Sequence, residues 1–114
     1  MTPGVVQADL PITTAQELPD ARVAESLGLC FGLIVRSMGL AKGFTASFSA
    51  LRSGEVSQYT EVLEDSRRHA VDRMIANAHV LGADAIIAVR FDSSEMGKGL
   101  TEILAYGTAV KLAR

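Results

Sequence analysis

The stretch EVSQYTEVLEDSRRHAVDRMIANAHVLG, residues 55–82, is the clearest structural element in the chain. Its apolar side chains recur every three or four residues, which is the spacing of one helix face. Ser53 is a good N-cap residue, and Gly82 suits the left-handed position just past a helix end. The pattern predicts a helix over residues 55–81, roughly 40 Å long. The apolar positions that define its face are Val56, Tyr59, Leu63, Ala70, Val71, Met74, Ile75, Ala78 and Leu81.

Two long strands accompany this helix, one over residues 22–36 and one over residues 100–112. Alternation along a strand sends successive side chains to opposite faces of a sheet, and here one face is bulky and the other is small. The bulky sets are Val23, Leu27, Leu29, Phe31, Leu33 and Val35 in the first strand, and Leu104, Tyr106, Thr108, Val110 and Leu112 in the last. The small sets are Ala24, Ser26, Gly28, Cys30, Gly32 and Ile34, and then Ile103, Ala105, Gly107 and Ala109.

The small faces of these strands predict how the helix packs. If both strands lie in one sheet, their small side chains form a shallow trough in which an alanine-rich helix can sit closely. The bulky faces then need another cover, and the chain offers no second long helix. We therefore expect other subunits to cover the bulky faces, an expectation strengthened by the low aromatic content of 5% in a small domain.

The remaining segments are shorter. Residues 83–92 read as a strand, and residues 93–99 read as a turn with two glycines. The strand pattern places Ile87, Val89 and Phe91 on one face, and Ile86, Ala88, Arg90 and Asp92 on the other. The sequence predicts a short strand over residues 10–14 and a loose N-terminal segment over residues 1–9. For residues 37–54 it leaves two possibilities open, a helical turn and an ordered loop. With 114 residues, we expect one α+β domain over residues 1–114.

Composition excludes several classes of function. The formal net charge is −2, and the 11 Lys and Arg residues form no basic run, so we expect no nucleic-acid partner. The longest apolar stretch, residues 27–35, is far shorter than the roughly 20 residues of a membrane helix. The first residues lack the basic start and apolar stretch of a secretory signal. With the single Cys30, these features predict a cytoplasmic protein.

Two segments carry a resemblance to a known family. The run GEVSQYTEVLEDSRRHAVDRMIANAHVLGADAIIAVRF, residues 54–91, followed by EILAYGTAV, residues 102–110, closely resembles the YbjQ-like family. The label of that family names heavy-metal binding, and its activity is uncharacterised. The resemblance implies a dodecin-like subunit, with a small antiparallel sheet packed on one long helix. It also implies a homopentamer of the β/α-propeller type, in agreement with the expectation of an oligomer.

The family label directs attention to metal ligands. The candidates are Cys30, Asp65 and His69, since Asp65 and His69 stand at i and i+4 on one helix face. His79 lies about 15 Å further along the helix from His69, so the two histidines cannot share an ion within one subunit. The alternative is an exposed acid–imidazole pair and a buried small cysteine. The sequence therefore does not identify a cofactor, and a bound divalent or heavy metal ion is a hypothesis.

A second set of candidates consists of polar residues inside otherwise apolar elements. One interpretation is a polar pocket at a subunit boundary, where an arginine binds an anionic group. The other is a set of paired structural contacts, with Arg67 or Arg90 binding Glu102 or Asp92. The members of this set are Tyr59, Arg67, Arg90, Glu102 and Tyr106.

No recognised catalytic motif occurs in the sequence. There is no G-x-S-x-G motif, and the GLAKGF stretch at residues 39–44 lacks the spacing of a phosphate-binding loop. We therefore expect a non-enzymatic, cytoplasmic, oligomeric binding protein whose partner is itself. The alternatives are a structural or scaffold homo-oligomer, and small-ligand binding at subunit interfaces.

Overall fold

The structure is a computed structural model that describes residues 10–37 and 57–113, with side chains in the helix described from Thr60 onward. Its elements are strand β1 (Val23–Ser37), helix α1 (Ser57–Val80), strand β2 (Ala85–Gly97) and strand β3 (Leu100–Leu112). The predictions for residues 1–9, 38–54 and the Ser53 cap lie outside the described residues. The predicted α+β fold, an antiparallel sheet with one long helix, is confirmed.

The three strands form one antiparallel sheet in the order β1-β3-β2. β2 and β3 are joined by a tight turn in which Gly97, Lys98 and Gly99 all have positive φ. The prediction of a turn over all of residues 93–99 is wrong, because β2 continues to Gly97. The polar residues 92–95 pair with residues 101–104 of β3, since pairing in a sheet overrides the weak strand preference of Asp and Ser.

Helix α1 packs on the small faces of β1 and β3, as the sequence predicts. A Cβ atom added at Gly32 would meet the backbone oxygen of Ala70 and the backbone nitrogen of Met74, so strand and helix backbones approach each other directly. Such an approach requires glycine on the strand. The core between the two layers is aliphatic and consists of Cys30, Ala70, Met74, Ile75, Ala78, Ile86, Val89, Ile103, Ala105 and Ala109, with Leu10.

A β-bulge in β2 changes the faces predicted for that strand. Ala88 has φ +54°, and the register moves from Ile87 opposite Thr108 to Arg90 opposite Tyr106. Ile86 and Val89 are therefore both buried in the core, at 0% and 4% exposure. The predicted separation of these two residues onto opposite faces is wrong, because one extra residue in the strand inverts the alternation after it.

A second bulge, in β1, places Leu27 on the other face of the sheet from the one predicted. The register between β1 and β3 shifts between Ser26 and Gly28, and Gly28 has φ +98°. Leu27 packs against the core instead of joining Leu29 on the bulky face. The irregular backbone that Gly28 permits lets the strand turn this side chain toward the helix.

The C-terminal end of α1 has the predicted glycine cap. Gly82 has φ +79°, its N–H donates to the His79 carbonyl, and the N–H of Ala83 donates to the Ala78 carbonyl. These two hydrogen bonds form a Schellman motif. The helix ends at Val80, one residue before the predicted end at Leu81.

The segment before β1 is attached to the outer edge of β2. The N–H of Thr13 donates to the Ile86 carbonyl, and the N–H of Ile86 donates to the Pro11 carbonyl. The predicted strand over residues 10–14 is therefore present as a single parallel bridge between Ile12 and Ile86. Within residues 10–37 and 57–113, no helix is long and apolar enough to cross a membrane.

Candidate functional site

The face of the sheet that points away from α1, here called the open face, carries exposed apolar side chains. Leu29, Phe31, Leu33 and Val35 of β1 are 68%, 48%, 36% and 50% exposed. Adjacent to them on β3 are Leu104 and Tyr106, with Arg90 and Asp92 beyond on β2. An exposed apolar surface rimmed by polar groups is typical of an interaction site.

The strand register arranges the open face in rows across the sheet. Phe31, Tyr106 and Arg90 form one row, and Leu33, Leu104 and Asp92 form the next. A shallow depression of ≈ 440 Å³ lies between these rows; this depression is lined by Leu29, Phe31, Asp92, Leu104 and Tyr106. The Asp92 carboxylate is the charged group among apolar and aromatic side chains, so the depression is suited to an apolar group that carries a positive charge.

Three members of the predicted polar set lie on the open face, and the register brings two of them, Arg90 and Tyr106, side by side. Arg90 stands opposite Tyr106, and its Nη1 donates to the carbonyls of Thr14 and Val89 at 2.8 and 2.9 Å. Glu102 accepts a hydrogen bond from Ser94 Oγ at 3.1 Å. The predicted pairing of Arg90 with a carboxylate is therefore wrong, because the guanidinium binds backbone carbonyls of the attached N-terminal segment and its own strand.

The other two members of the set lie elsewhere. Arg67 lies on the helix side of the sheet, with its guanidinium carbon 5.1 Å from the centre of the Phe91 ring. Tyr59 belongs to the first turn of α1, and its side chain is outside the described part of the chain. Phe91 reaches the helix side because the β2 bulge inverts the alternation after Ala88.

A second surface feature, here called the groove, lies between α1 and β2. It has a volume of ≈ 310 Å³ and is lined by Arg67, Arg68, Val71, Asp72 and Phe91. It exists because α1 packs mainly on β1 and β3 and leaves this side of β2 uncovered, with Phe91 39% exposed. A cation–π interaction, worth about 0.5–1 kcal/mol at an exposed site, favours this position of Arg67 over the Phe91 ring.

The metal candidates Asp65 and His69 lie together, with an additional cation. His69 Nδ1 is 3.9 Å from Asp65 Oδ2. Arg36, at the end of β1, places Nη2 3.1 Å from His69 Nδ1 and 3.5 Å from Asp65 Oδ2. Because a guanidinium donates and cannot accept, Nδ1 holds its lone pair toward Arg36. The cluster connects the end of β1 to the third and fourth turns of α1.

Cys30 does not belong to this cluster. It precedes Arg36 by six residues in an extended strand, a separation of about 20 Å. Its side chain is 3% exposed, and Sγ donates to the Met74 carbonyl at 3.5 Å. Burial raises the pKa of the Cys30 thiol, which disfavours the thiolate that binds metals.

The described residues do not fit a heavy-metal site within one subunit. No cluster of three or more Cys, His, Asp or Glu side chains occurs in residues 10–37 and 57–113. A closed structural zinc site needs four ligands, and soft metal ions prefer thiolate and imidazole. Asp65 and His69 supply two ligands, and Arg36 places a positive charge at both.

Several contacts were not predicted from the sequence. Arg36 joins the Asp65 and His69 pair, and Asn77 Nδ2 donates to the Phe31 carbonyl at 2.7 Å. Asp84 Oδ2 accepts the N–H of Leu112 at 2.9 Å and so fixes the end of β3 beside the helix cap. For Arg36, the available signal is its even-numbered position, which places it on the small face of β1 that α1 covers. The sequence does not show which helix residues it meets, because that depends on how β1 and α1 align.

Comparisons with known proteins agree with the fold. A UPF0145 protein of Sulfurisphaera tokodaii is 47% identical over 108 residues, covering 95% of each chain. A UPF0145 protein of Bradyrhizobium sp. strain ORS 278 is 43% identical over 104 residues, covering 91% of this chain and 94% of its own. A crystal structure from Pediococcus pentosaceus, of a protein of unknown function in the DUF74 family, matches with a TM-score of 0.57. That match has 12% identity and covers 90% of this chain and 96% of the other, so it supports the fold alone.

The family model described as "Putative heavy-metal-binding" matches residues 10–113, which is nearly the whole chain and all of its described elements. This agrees with the resemblance carried by residues 54–91 and 102–110. On this match and on the identity with its relatives, the chain belongs to the YbjQ-like, or UPF0145, family.

Proposed function

We propose that this protein is a non-enzymatic homo-oligomer whose open face is buried against neighbouring copies. The observation that carries the proposal is the set of four exposed apolar side chains along β1, namely Leu29, Phe31, Leu33 and Val35. Monomeric soluble proteins rarely expose a contiguous apolar surface of this kind. On the opposite face of the same strand, α1 buries Cys30 and partly buries Ile34, so the exposed large apolar side chains of β1 lie on the open face.

Burial of these side chains supplies a driving force for assembly. A large apolar side chain contributes about 1.5–3 kcal/mol when it is fully transferred from water. Leu29, Phe31, Leu33 and Val35 are already partly buried, so about 1 kcal/mol each is the appropriate scale. Neighbouring residues Leu104 and Tyr106 add to this surface. The resemblance supports a pentamer with dodecin-like subunits as the form of the assembly.

The assembled protein has a place for a small ligand. The depression on the open face has a volume within the range of about 300–1,000 Å³ that is usual for ligand pockets. In an oligomer this depression lies at a subunit boundary, where Asp92 and Tyr106 supply polar groups. We propose a binding role at this boundary, and a purely structural or scaffold role is the alternative.

Three polar side chains among the described residues support a non-enzymatic role, because each is engaged in a structural contact. Arg90 and Asp84 bind backbone groups, and Ser66 Oγ donates to the Val62 carbonyl at 2.7 Å. These contacts hold the fold together and leave the side chains engaged. A cytoplasmic location is supported by Cys30, which is a free thiol.

Substitution of Leu29 by Glu tests the role of the open face. Leu29 is 68% exposed, so the change leaves the fold of the subunit intact and places a charge at the proposed interface. The matched control is Val80→Glu, which alters an apolar side chain that is 86% exposed at the end of α1. We expect Leu29→Glu to lower the oligomer mass measured by light scattering, and Val80→Glu to retain it. An unchanged mass for Leu29→Glu contradicts the proposal.

Ligand binding and scaffolding are separated by native mass spectrometry of the untagged protein. A binding role predicts a bound small molecule that remains with the oligomer and leaves when Asp92 is replaced by Ala. A scaffold role predicts an empty oligomer with the mass of its subunits alone. Addition of divalent metal ions tests the family label, because an ion that binds the native state raises its melting temperature.

A further inference from the structure

A third surface feature, here called the loop pocket, lies between the sheet and the segment that precedes β1. Its volume is ≈ 340 Å³, near the lower end of the range of about 300–1,000 Å³ that is usual for ligand sites. A pocket of this size suits a small molecule. Two charged side chains, one amide and an apolar floor make up its lining, which consists of Gln16, Glu17, Ala21, Arg22, Val23 and Ile87.

Backbone hydrogen bonds hold both ends of the segment that forms the wall of the loop pocket. At one end, the N–H of Ala88 in β2 donates to the Ala15 carbonyl at 2.8 Å. At the other end, the N–H of Ala113 donates to the Arg22 carbonyl at 2.7 Å. Between them the chain turns back on itself through an isolated antiparallel bridge. The wall is therefore formed before a ligand arrives, and a preformed site loses less free energy to ordering on binding.

The floor of the loop pocket is apolar and lies on the same side of the sheet as the open face. Val23 stands opposite Leu112 and Ile87 stands opposite Thr108, and these two positions of β3 share a face. Val23 and Ile87 are both half-buried. None of the side chains that line the depression lines the loop pocket, so the two features are separate.

The two charged side chains in the lining have opposite signs and no ion-pair partner among the described residues. The ion pairs of the described part of the chain are confined to the cluster of Arg36, Asp65 and His69. Glu17 and Arg22 therefore pair neither with each other nor with another charged group that the structure describes. One carboxylate and one guanidinium are thus available to a molecule in the pocket.

Two other charged side chains belong to this region without lining the pocket. Arg90 reaches the segment from β2, where its Nη1 donates to the carbonyls of Thr14 and Val89. Asp20 lies in the exposed turn of the segment. With these two included, the region still carries two charges of each sign. A ligand with a single charge therefore leaves one charged side chain of the lining without a partner.

We infer that the loop pocket binds a free amino acid with a small aliphatic body, in its zwitterionic form. The ammonium group pairs with the Glu17 carboxylate, and the ligand carboxylate pairs with the Arg22 guanidinium, whose planar fork matches it. The Gln16 amide supplies a further hydrogen bond, and the aliphatic body contacts Val23 and Ile87. This site is distinct from the depression and goes beyond the binding role proposed there.

Equilibrium dialysis of the full chain with radiolabelled L-valine tests this inference. Two competitors keep the aliphatic body and only one charge: 3-methylbutanoate keeps the carboxylate, and 2-methylpropylamine keeps the ammonium group. We expect each to bind at least about tenfold more weakly than L-valine, because each leaves one lining charge unpaired. Labelled 5-aminopentanoate places the same two charges further apart, and tighter binding of it would assign the site to an ω-amino acid.

Two results would overturn the inference. One is that neither labelled amino acid is retained at millimolar concentration. The other is that a singly charged competitor binds as tightly as the zwitterion. An oligomer that shows either result keeps the proposed function and loses the amino-acid site, so the two proposals fail separately.

Variants of the two charged side chains identify the role of each. Glu17→Gln is expected to remove the preference for L-valine over 3-methylbutanoate, and Arg22→Met is expected to remove the preference over 2-methylpropylamine. Loss of a specific preference separates ligand contact from a structural role, which would weaken all three compounds alike. Asp20→Asn is the matched control, since it changes a charge in the same segment outside the lining. Leu29→Glu is expected to retain binding because one subunit supplies the whole lining, and loss of binding there would contradict a site within one subunit.

Discussion

Gly107, in the AYGTAV motif of β3, has no room for a side chain. A Cβ atom added there would lie 2.8 Å from Ile86 Cγ2, 2.9 Å from the Ile87 carbonyl oxygen and 3.2 Å from Val89 Cγ2. Ordinary van der Waals contact begins at 3.4 Å. The β2 bulge produces this crowding, because Ala88 and Val89 together stand opposite Gly107. The side-chain contacts can be relieved by rotation, whereas the carbonyl contact requires movement of the bulge.

These distances set the expected cost of a substitution. Overpacking of a core costs about 1–3 kcal/mol, and a β-branched residue offsets only part of this by its preference for strands. Gly107→Ala, which adds one methyl group, belongs near the lower end of that range. Gly107→Val adds two more methyl groups at the same crowded place, so we expect a loss of about 3 kcal/mol in the free energy of unfolding.

Urea unfolding, followed by circular dichroism, measures this loss. We expect the midpoint to fall in the order wild type, Gly107→Ala, Gly107→Val, with an unchanged slope that indicates the same surface exposed on unfolding. The matched control is Thr108→Val, which keeps the volume of the neighbouring side chain on the other face. A free energy of unfolding within about 0.5 kcal/mol of the wild type for Gly107→Val would refute the packing argument.

Three further experiments test other parts of the structure. Gly32→Ala is expected to destabilise the protein more than Gly107→Ala in the same assay, because its Cβ would meet helix backbone; an equal or smaller loss would contradict the close approach of β1 and α1. Cys30 is expected to react with a thiol reagent at about pH 8 much more slowly in the native protein than in urea, because burial raises its pKa; equal rates would show an accessible thiolate. Arg36→Met is expected to increase the melting-temperature shift produced by zinc, because it leaves Asp65 and His69 without the competing cation; equal shifts in variant and wild type would count against that role.

The packing of the two layers could be predicted from the sequence because it depends on side-chain size. Glycine and alanine at alternate positions of β1 and β3, such as Gly32 and Ala105, mark the face that α1 approaches. Gly82 marked the helix end, since the left-handed position there favours glycine. These signals are local, and each depends on one residue and its immediate neighbours.

The faces of β2 could not be predicted because they depend on a bulge without a glycine. Ala88 adopts a positive φ, which a non-glycine residue rarely does. The alternation before it gives no sign of the inversion, so the sequence pattern places Val89 and Phe91 on one face. In the structure Val89 enters the core and Phe91 lines the groove.

The candidate site, like the fold, could be predicted only where the signal lies within one element. The i, i+4 spacing of Asp65 and His69 predicted their proximity, and the structure places them 3.9 Å apart. Arg36 joins them from a strand that is 29 residues away from Asp65 in sequence. Contacts of this kind depend on how strand and helix align, and so does the pairing of Arg90 with Tyr106 across β2 and β3.

In the proposed oligomer, other copies of the chain cover the open face. Native mass spectrometry of the untagged protein at micromolar concentration tests it most directly, since it reports the number of subunits and any bound species together. We predict a homo-oligomer, with five subunits of 12.1 kDa and a total mass of about 60 kDa as the form that the family resemblance favours. A monomer of 12.1 kDa under these conditions would contradict it.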